Sequence, residues 1–112
     1  MASIVEGAVP TQDVTTVGER LVRGVLDHRV LSLIYHGERR IVEPYLVGIH
    51  EAGEPVLVGY QTGGGSRSGE LPGWRTFIIT EVQGAEMLEQ EFTPMPGFNP
   101  GGYPMLELFA RA

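Results

Sequence analysis

Arginines and tyrosines on what read as neighbouring strands, Tyr35, Arg40, Tyr60 and Arg75, have the types and spacing to suit an anionic or aromatic ligand. Arg40 opens the run Arg40-Ile41-Val42-Glu43-Pro44-Tyr45, which follows an apolar stretch ending in Tyr35. A second apolar stretch ends in Tyr60-Gln61, and Trp74-Arg75-Thr76-Phe77 lies beyond a glycine loop. A guanidinium presents a planar fork of donors that matches a phosphate or carboxylate, and it also stacks on rings. Tyrosine and phenylalanine faces accept a flat base. In the loop Gly63–Gly69, Ser66, Arg67 and Ser68 could form an anion nest of backbone N–H groups and hydroxyls. The loop lacks the Lys-Ser/Thr ending of a P-loop and no helix signal follows it, which excludes a nucleotide triphosphatase of that kind.

Structural explanations stand beside each of these. Arg40 and Arg75 could pair with Glu43 or Glu38 on neighbouring strands. Tyr35 and Tyr60 could be half-buried strand aromatics, and the glycine loop a plain hairpin connection. Catalytic patterns are missing. His28, His36 and His50 do not share an element at metal-ligand spacing, and there is no cysteine. No Gly-x-Ser-x-Gly elbow and no paired carboxylates on an apolar background occur. The residues describe a binding module without an enzymatic apparatus and without a cofactor.

These residues need strands to position them. Thr16-Val17-Gly18-Glu19 reads as a capping box, with Thr16 at the N-cap, opening a helix over about Val17 to Asp27. Val17, Leu21, Val22, Val25 and Leu26 form its apolar stripe. Val30–Tyr35 reads as a strand buried on both faces. Arg39–Glu43, Tyr45–His50, Val56–Gln61 and Trp74–Thr80 are four further strands, separated by Gly37-Glu38, Pro44, Glu51–Glu54 and Thr62–Gly73. Residues 82–92 fit a short helix or another strand. Four prolines between Thr93 and Pro104 forbid regular structure there, and Met105–Ala110 is short and strand-like.

At 112 residues the chain is one domain, with 42% apolar residues and a net charge of −6. All eight basic residues are arginine. An acidic chain is a poor binder of duplex DNA, whose affinity rests on neutralising phosphates, yet a local positive pocket can exist inside a negative envelope. No apolar run has the length of a membrane span, the N-terminus lacks signal-peptide character, and the absence of cysteine suits the cytoplasm.

The order of these elements resembles the WYL domain, a bacterial sensor module. The resemblance rests on a helix, a strand ending in Tyr35, Arg-x-Val-Glu-Pro at Arg40–Pro44, a strand ending in Tyr60, and Arg-x-Phe at Arg75–Phe77. It spans roughly residues 20–92. The name-giving tripeptide is replaced by Pro55-Val56-Leu57, and Glu81 stands where the family often has a second basic residue. The resemblance implies a mainly β fold: a small five-stranded Sm-like or SH3-like barrel with one N-terminal α-helix, here followed by an irregular Pro/Gly-rich C-terminal tail. It divides the chain into a flexible arm (1–15), a barrel (16–92) and a tail that docks on the barrel or a partner subunit (93–112). It implies a non-enzymatic regulatory domain that binds a nucleotide or a short single-stranded oligonucleotide. It points to Tyr35, Arg40, Tyr60, Arg75 and Phe77 as the ligand-binding residues: Arg40 and Arg75 would hold phosphate, and Tyr60 and Tyr35 would stack on, or hydrogen-bond to, a base. With no winged helix in the sequence, duplex DNA binding by this chain is not expected. The alternatives are a protein–protein or oligomerisation module, with a homodimer through an open strand edge, and, third, a small enzyme.

Overall fold

A computed structural model of the chain describes residues 12–65 and 69–112. Its single α-helix, α1 (Val14–Asp27), buries Val17, Leu21, Gly24 and Val25 against the sheet. The N-cap is Asp13, whose carboxylate accepts from the Thr16 backbone N–H at 2.9 Å. This corrects the capping box read from Thr16 and Glu19: Thr16 is already in the first turn, and the aspartate three residues earlier supplies the acceptor. The helix ends at His28 in the left-handed region, where its N–H reaches the carbonyls of Gly24 and Val25.

Six antiparallel strands follow: β1 (Arg29–Tyr35), β2 (Glu38–His50), β3 (Pro55–Gly64), β4 (Gly73–Ile78), β5 (Val82–Glu91) and β6 (Met105–Arg111). Their order is β4-β3-β2-β1-β5, with β6 also paired to β2. A 3-10 turn at Ile79–Glu81 joins β4 to β5. The β1–β2 hairpin turns through His36 and Gly37, with φ of 50° and 77°. Two consecutive positive φ values give a turn whose twist matches that of the flanking strands.

The chain is mainly β with one helix, but the five-stranded closed barrel is corrected on two counts. β4 and β5, the ends of the strand order, are not paired, so the sheet is open. The strand count is six because two expected strands merge and two more appear. Arg39–Glu43 and Tyr45–His50 are halves of β2; Pro44 does not divide it, because the β2–β3 register shifts between Pro44 and Leu46 and the bulge absorbs the residue. Residues 82–91 form β5, and the C-terminal segment regains strand structure as β6. β1 is buried on both faces only at its start, where Val30 and Leu31 are both buried; beyond it Ser32 is half-buried and Ile34 exposed on the outer face, while Leu33 and Tyr35 are inside.

The main core joins Val17, Leu21 and Val25 of α1 to Leu31, Leu33, Val42, Leu57 and Phe77 of the sheet. A second cluster surrounds Tyr45, with Val30 and Phe92 buried and Tyr60 and Phe98 packed against it. The segment between β5 and β6 crosses this cluster as a strap. Phe92 N–H donates to the His28 carbonyl, and Met95 N–H donates to the Tyr45 hydroxyl at 3.0 Å. The Phe98 ring stacks on Trp74, and Tyr103 stacks on Phe98.

The cap assignment is directly testable. Asp13→Ala should cost about 1 kcal/mol in urea unfolding, the usual loss for an N-cap acceptor. Thr16→Ala, which keeps the donating N–H, should change stability by less than about 0.5 kcal/mol.

Candidate functional site

Four of the five candidate residues share the inner face of the sheet. Leu33 opposes Arg40, so Tyr35 and Arg40 lie on the face that carries Leu33. Gly59 opposes Arg75 and Leu57 opposes Phe77, which puts those two side chains on the face of Leu57. Gly59 joins the two halves of this face. A Cβ built there would come within 2.4 Å of the Val42 side chain, so Val42, Arg40 and Arg75 point the same way and only glycine fits between them. Tyr60, one residue on and opposite Trp74, points to the outer face. The structure therefore brings Tyr35, Arg40, Arg75 and Phe77 to one side and leaves Tyr60 on the other.

Arg40 is 4% exposed. Its Nη2 donates to the Tyr35 carbonyl and to Glu38 Oε2, both at 3.3 Å. Its guanidinium carbon lies 5.5 Å from the centre of the Tyr35 ring, within cation–π range. Glu38 is thus the carboxylate partner foreseen as the structural explanation, and its side chain is 41% exposed. The Tyr35 ring lies edge-on to Phe77 at 5.0 Å and is stacked by His36 at 4.0 Å, while its hydroxyl accepts from the Ile78 N–H. His36 in turn contacts the Glu81 carboxylate. Phe77 is 1% exposed and belongs to the core.

Arg75 is half-buried, and its two Nη atoms donate to the carbonyls of Trp74 and Glu70 at 2.9 and 3.0 Å. Between the two arginines on this face stands Gln61, fully buried and opposite Val42. Its amide nitrogen donates to the carbonyls of Gly63 and Gly65. Among the described residues the amide oxygen has no hydrogen-bond partner, and neither has Arg40 Nε. Within the described residues a buried donor and a buried acceptor are thus left open on one face of the sheet. Sequence reasoning did not select Gln61. The available signal was one amide closing the otherwise apolar strand Val56–Tyr60. The loop residues Ser66, Arg67 and Ser68 lie outside the described residues.

The outer face carries the aromatic cluster. Tyr60 meets Trp74 edge-on at 5.2 Å, and Tyr45 meets Trp74 at 4.8 Å and Phe98 at 4.9 Å. Glu43, opposite Tyr60, is drawn into this surface, and burial raises its carboxyl above the ordinary value of 4.5. Burial likewise raises the Tyr45 hydroxyl. Among the described residues no group of three or more His, Asp or Glu side chains could hold a metal. The histidines cap α1 (His28), turn the hairpin (His36) and accept from the Ala52 N–H (His50). An open groove of about 690 Å³ runs beside α1, lined by Val14, Gly18, Val22, Val47 and Phe109 among others; none of the five candidates lines it. No helix of the described residues is long and apolar enough to cross a membrane.

The raised Glu43 pKa has a definite sign. A carboxyl whose folded pKa lies above its unfolded value favours folding below the unfolded pKa, and that contribution is lost as pH rises through the folded pKa. Glu43→Gln should therefore raise the melting temperature at neutral pH. The gain should disappear once the pH falls below 4.5, where the native carboxyl is also protonated. Thermal melts of both proteins across that range check it.

No protein-family model matches the chain, and no curated protein matches it. Among solved structures it is similar to proteasome accessory factor B/C (PafBC) of Arthrobacter aurescens, at a TM-score of 0.62 and 20% identity. The match covers 85% of this chain and 14% of PafBC, so this chain corresponds to a small part of that protein. At this identity the likeness is one of fold.

Proposed function

We propose that this chain is a WYL-like, non-enzymatic sensing domain that binds a nucleotide or short single-stranded oligonucleotide through the inner-face cluster of Arg40, Gln61 and Arg75. The observation that carries this reading is the buried Arg40 guanidinium and the buried Gln61 amide on one face, each with one polar atom that no described residue answers. A charge removed from water is costly unless fully partnered. Among the described residues Arg40 has a single carboxylate partner, at 3.3 Å, and that partner reaches the surface.

Binding then works by exchange. A phosphate replaces the Glu38 carboxylate at Arg40, a bidentate partner for a monodentate one. Gln61 Oε1 accepts from a ligand hydroxyl or amine. Arg75, on the same face, extends the positive surface toward a second phosphate. Tyr35 keeps the guanidinium in place from below, while Tyr60 remains part of the strap cluster. Fold likeness to PafBC, a WYL-domain-containing regulator, agrees with a regulatory role. The lack of cysteine is consistent with a cytoplasmic one.

Fluorescence anisotropy with labelled short single-stranded oligonucleotides, with mononucleotides as competitors, tests the reading. Binding should be weak at low salt and fade as salt rises. Arg40→Ala combined with Arg75→Ala should abolish it. Glu38→Gln, which removes the competing carboxylate, should tighten it several-fold while circular dichroism confirms the fold. Absence of binding by the parent protein at low salt, or Glu38→Gln leaving affinity unchanged, would sink the proposal.

A further inference from the structure

The outer face of the sheet carries a row of side chains that the inner-face cluster does not use. Glu43 of β2 stands opposite Tyr60 of β3, and Tyr60 stands opposite Trp74 of β4. Directly opposed residues project to the same face, with Cβ atoms about 4.5–5.5 Å apart. Tyr60 therefore lies between the carboxylate and the indole. The Tyr60 and Trp74 rings meet at 62° with centres 5.2 Å apart, two walls of a corner. Phe98 covers one side of the indole, stacked at 5.3 Å and 24°. The indole still keeps 37% of its surface in solvent, while Glu43 and Tyr60 are half-buried.

The electrostatics of this corner have one sign. Among the described residues Glu43 makes neither an ion pair nor a hydrogen bond. Arg39, on the same face of β2, donates its Nε to Ser32 Oγ instead. Arg40 and Arg75 project to the other face. Burial raises the Glu43 carboxyl. At Tyr45 burial raises the hydroxyl first and the Met95 N–H lowers it, and the negative charges of Glu43 and of Tyr60 raise it further. The faces of aromatic rings are themselves the negative side of a quadrupole. A half-buried carboxylate beside two ring faces, with no cation among the described residues to offset it, presents a negative potential to solvent.

We propose that the corner of Glu43, Tyr60 and Trp74 binds an alkylated ammonium group, with the two rings against its alkyl carbons and Glu43 beside its charge. Ring faces attract a cation held within about 6 Å of their centres. An alkylated ammonium fits this corner better than a guanidinium or a bare ammonium, because those bring several N–H donors and Glu43 is the one charged acceptor to answer them. The site uses no residue of the inner-face cluster, so it stands or falls apart from the anion-binding reading.

Proton NMR of choline titrated with the full chain tests it. The N-methyl resonance should broaden and shift upfield, as ring currents of aromatic faces require. The neutral isostere 3,3-dimethyl-1-butanol, which keeps the shape and lacks the charge, should bind at least about fivefold more weakly. Glu43→Gln, the change that should raise the melting temperature at neutral pH, should weaken choline by about fivefold or more, the effect of a favourable ion pair. Circular dichroism controls for folding. Choline in solution and phosphatidylcholine vesicles present the same headgroup, free or on a lipid. Retention of the protein by vesicles assigns the lipid source, and choline binding without retention assigns the free solute. An unshifted choline resonance, equal binding of the neutral isostere, or unchanged affinity in Glu43→Gln would each overturn the proposal.

Discussion

The structure depends on one strand serving three neighbours. β2 gives one edge to β3 along most of its length and divides the other between β1 and β6. β1 takes the first part of this 13-residue strand and β6 its last part. The bulge at Pro44–Leu46 supplies the bend. It also delivers Tyr45 into the interior as the centre of the second cluster, where its hydroxyl anchors the strap through Met95. The turn in the sheet, the second core and the path of the tail thus follow from the same few residues.

The bend also sorts the chemistry. Residues before it place Arg40 on the inner face near the open end of the sheet, away from the helix-covered core. The guanidinium there has a ring beneath it, a carbonyl, and one carboxylate that reaches water. Such an arrangement is adequate for folding but not saturated. Phe77 and Tyr35 hold the cluster at a fixed depth by their mutual edge-on contact.

Strand positions were legible in the sequence wherever glycine and alternating apolar residues marked them, as at Gly37 and at Glu51–Glu54. The helix face was legible from its 3.6-residue spacing. Pro44 misled because a proline breaks a ladder but not a bulge, and local sequence does not distinguish the two. Residues 82–91 were ambiguous because Val82, Ala85 and Leu88 fit a helical period; pairing with β1, remote in sequence, decides the matter. Arg40, Arg75 and Tyr35 are legible by type and spacing, and Phe77 through the family resemblance. The separation of Tyr60 from them depends on which face each residue takes, and that parity is altered by register shifts between Ile41 and Val42 and at Pro44. Gln61 was overlooked because an amide at a strand end looks like a surface residue until its neighbours are known.

The protein has one tryptophan, and the fold puts it in a single informative place. Trp74 lies beneath Phe98 of the strap and against Tyr45 and Tyr60. Its indole is therefore a built-in optical probe of whether the strap is seated. Phe98 leaving the ring would admit water to one face and move the emission toward the red. Because Trp74 borders Arg75 in sequence but points to the opposite side of the sheet, that signal would report the strap separately from events at the arginine cluster. A spectroscopist can thus follow one face of this small sheet without labelling it.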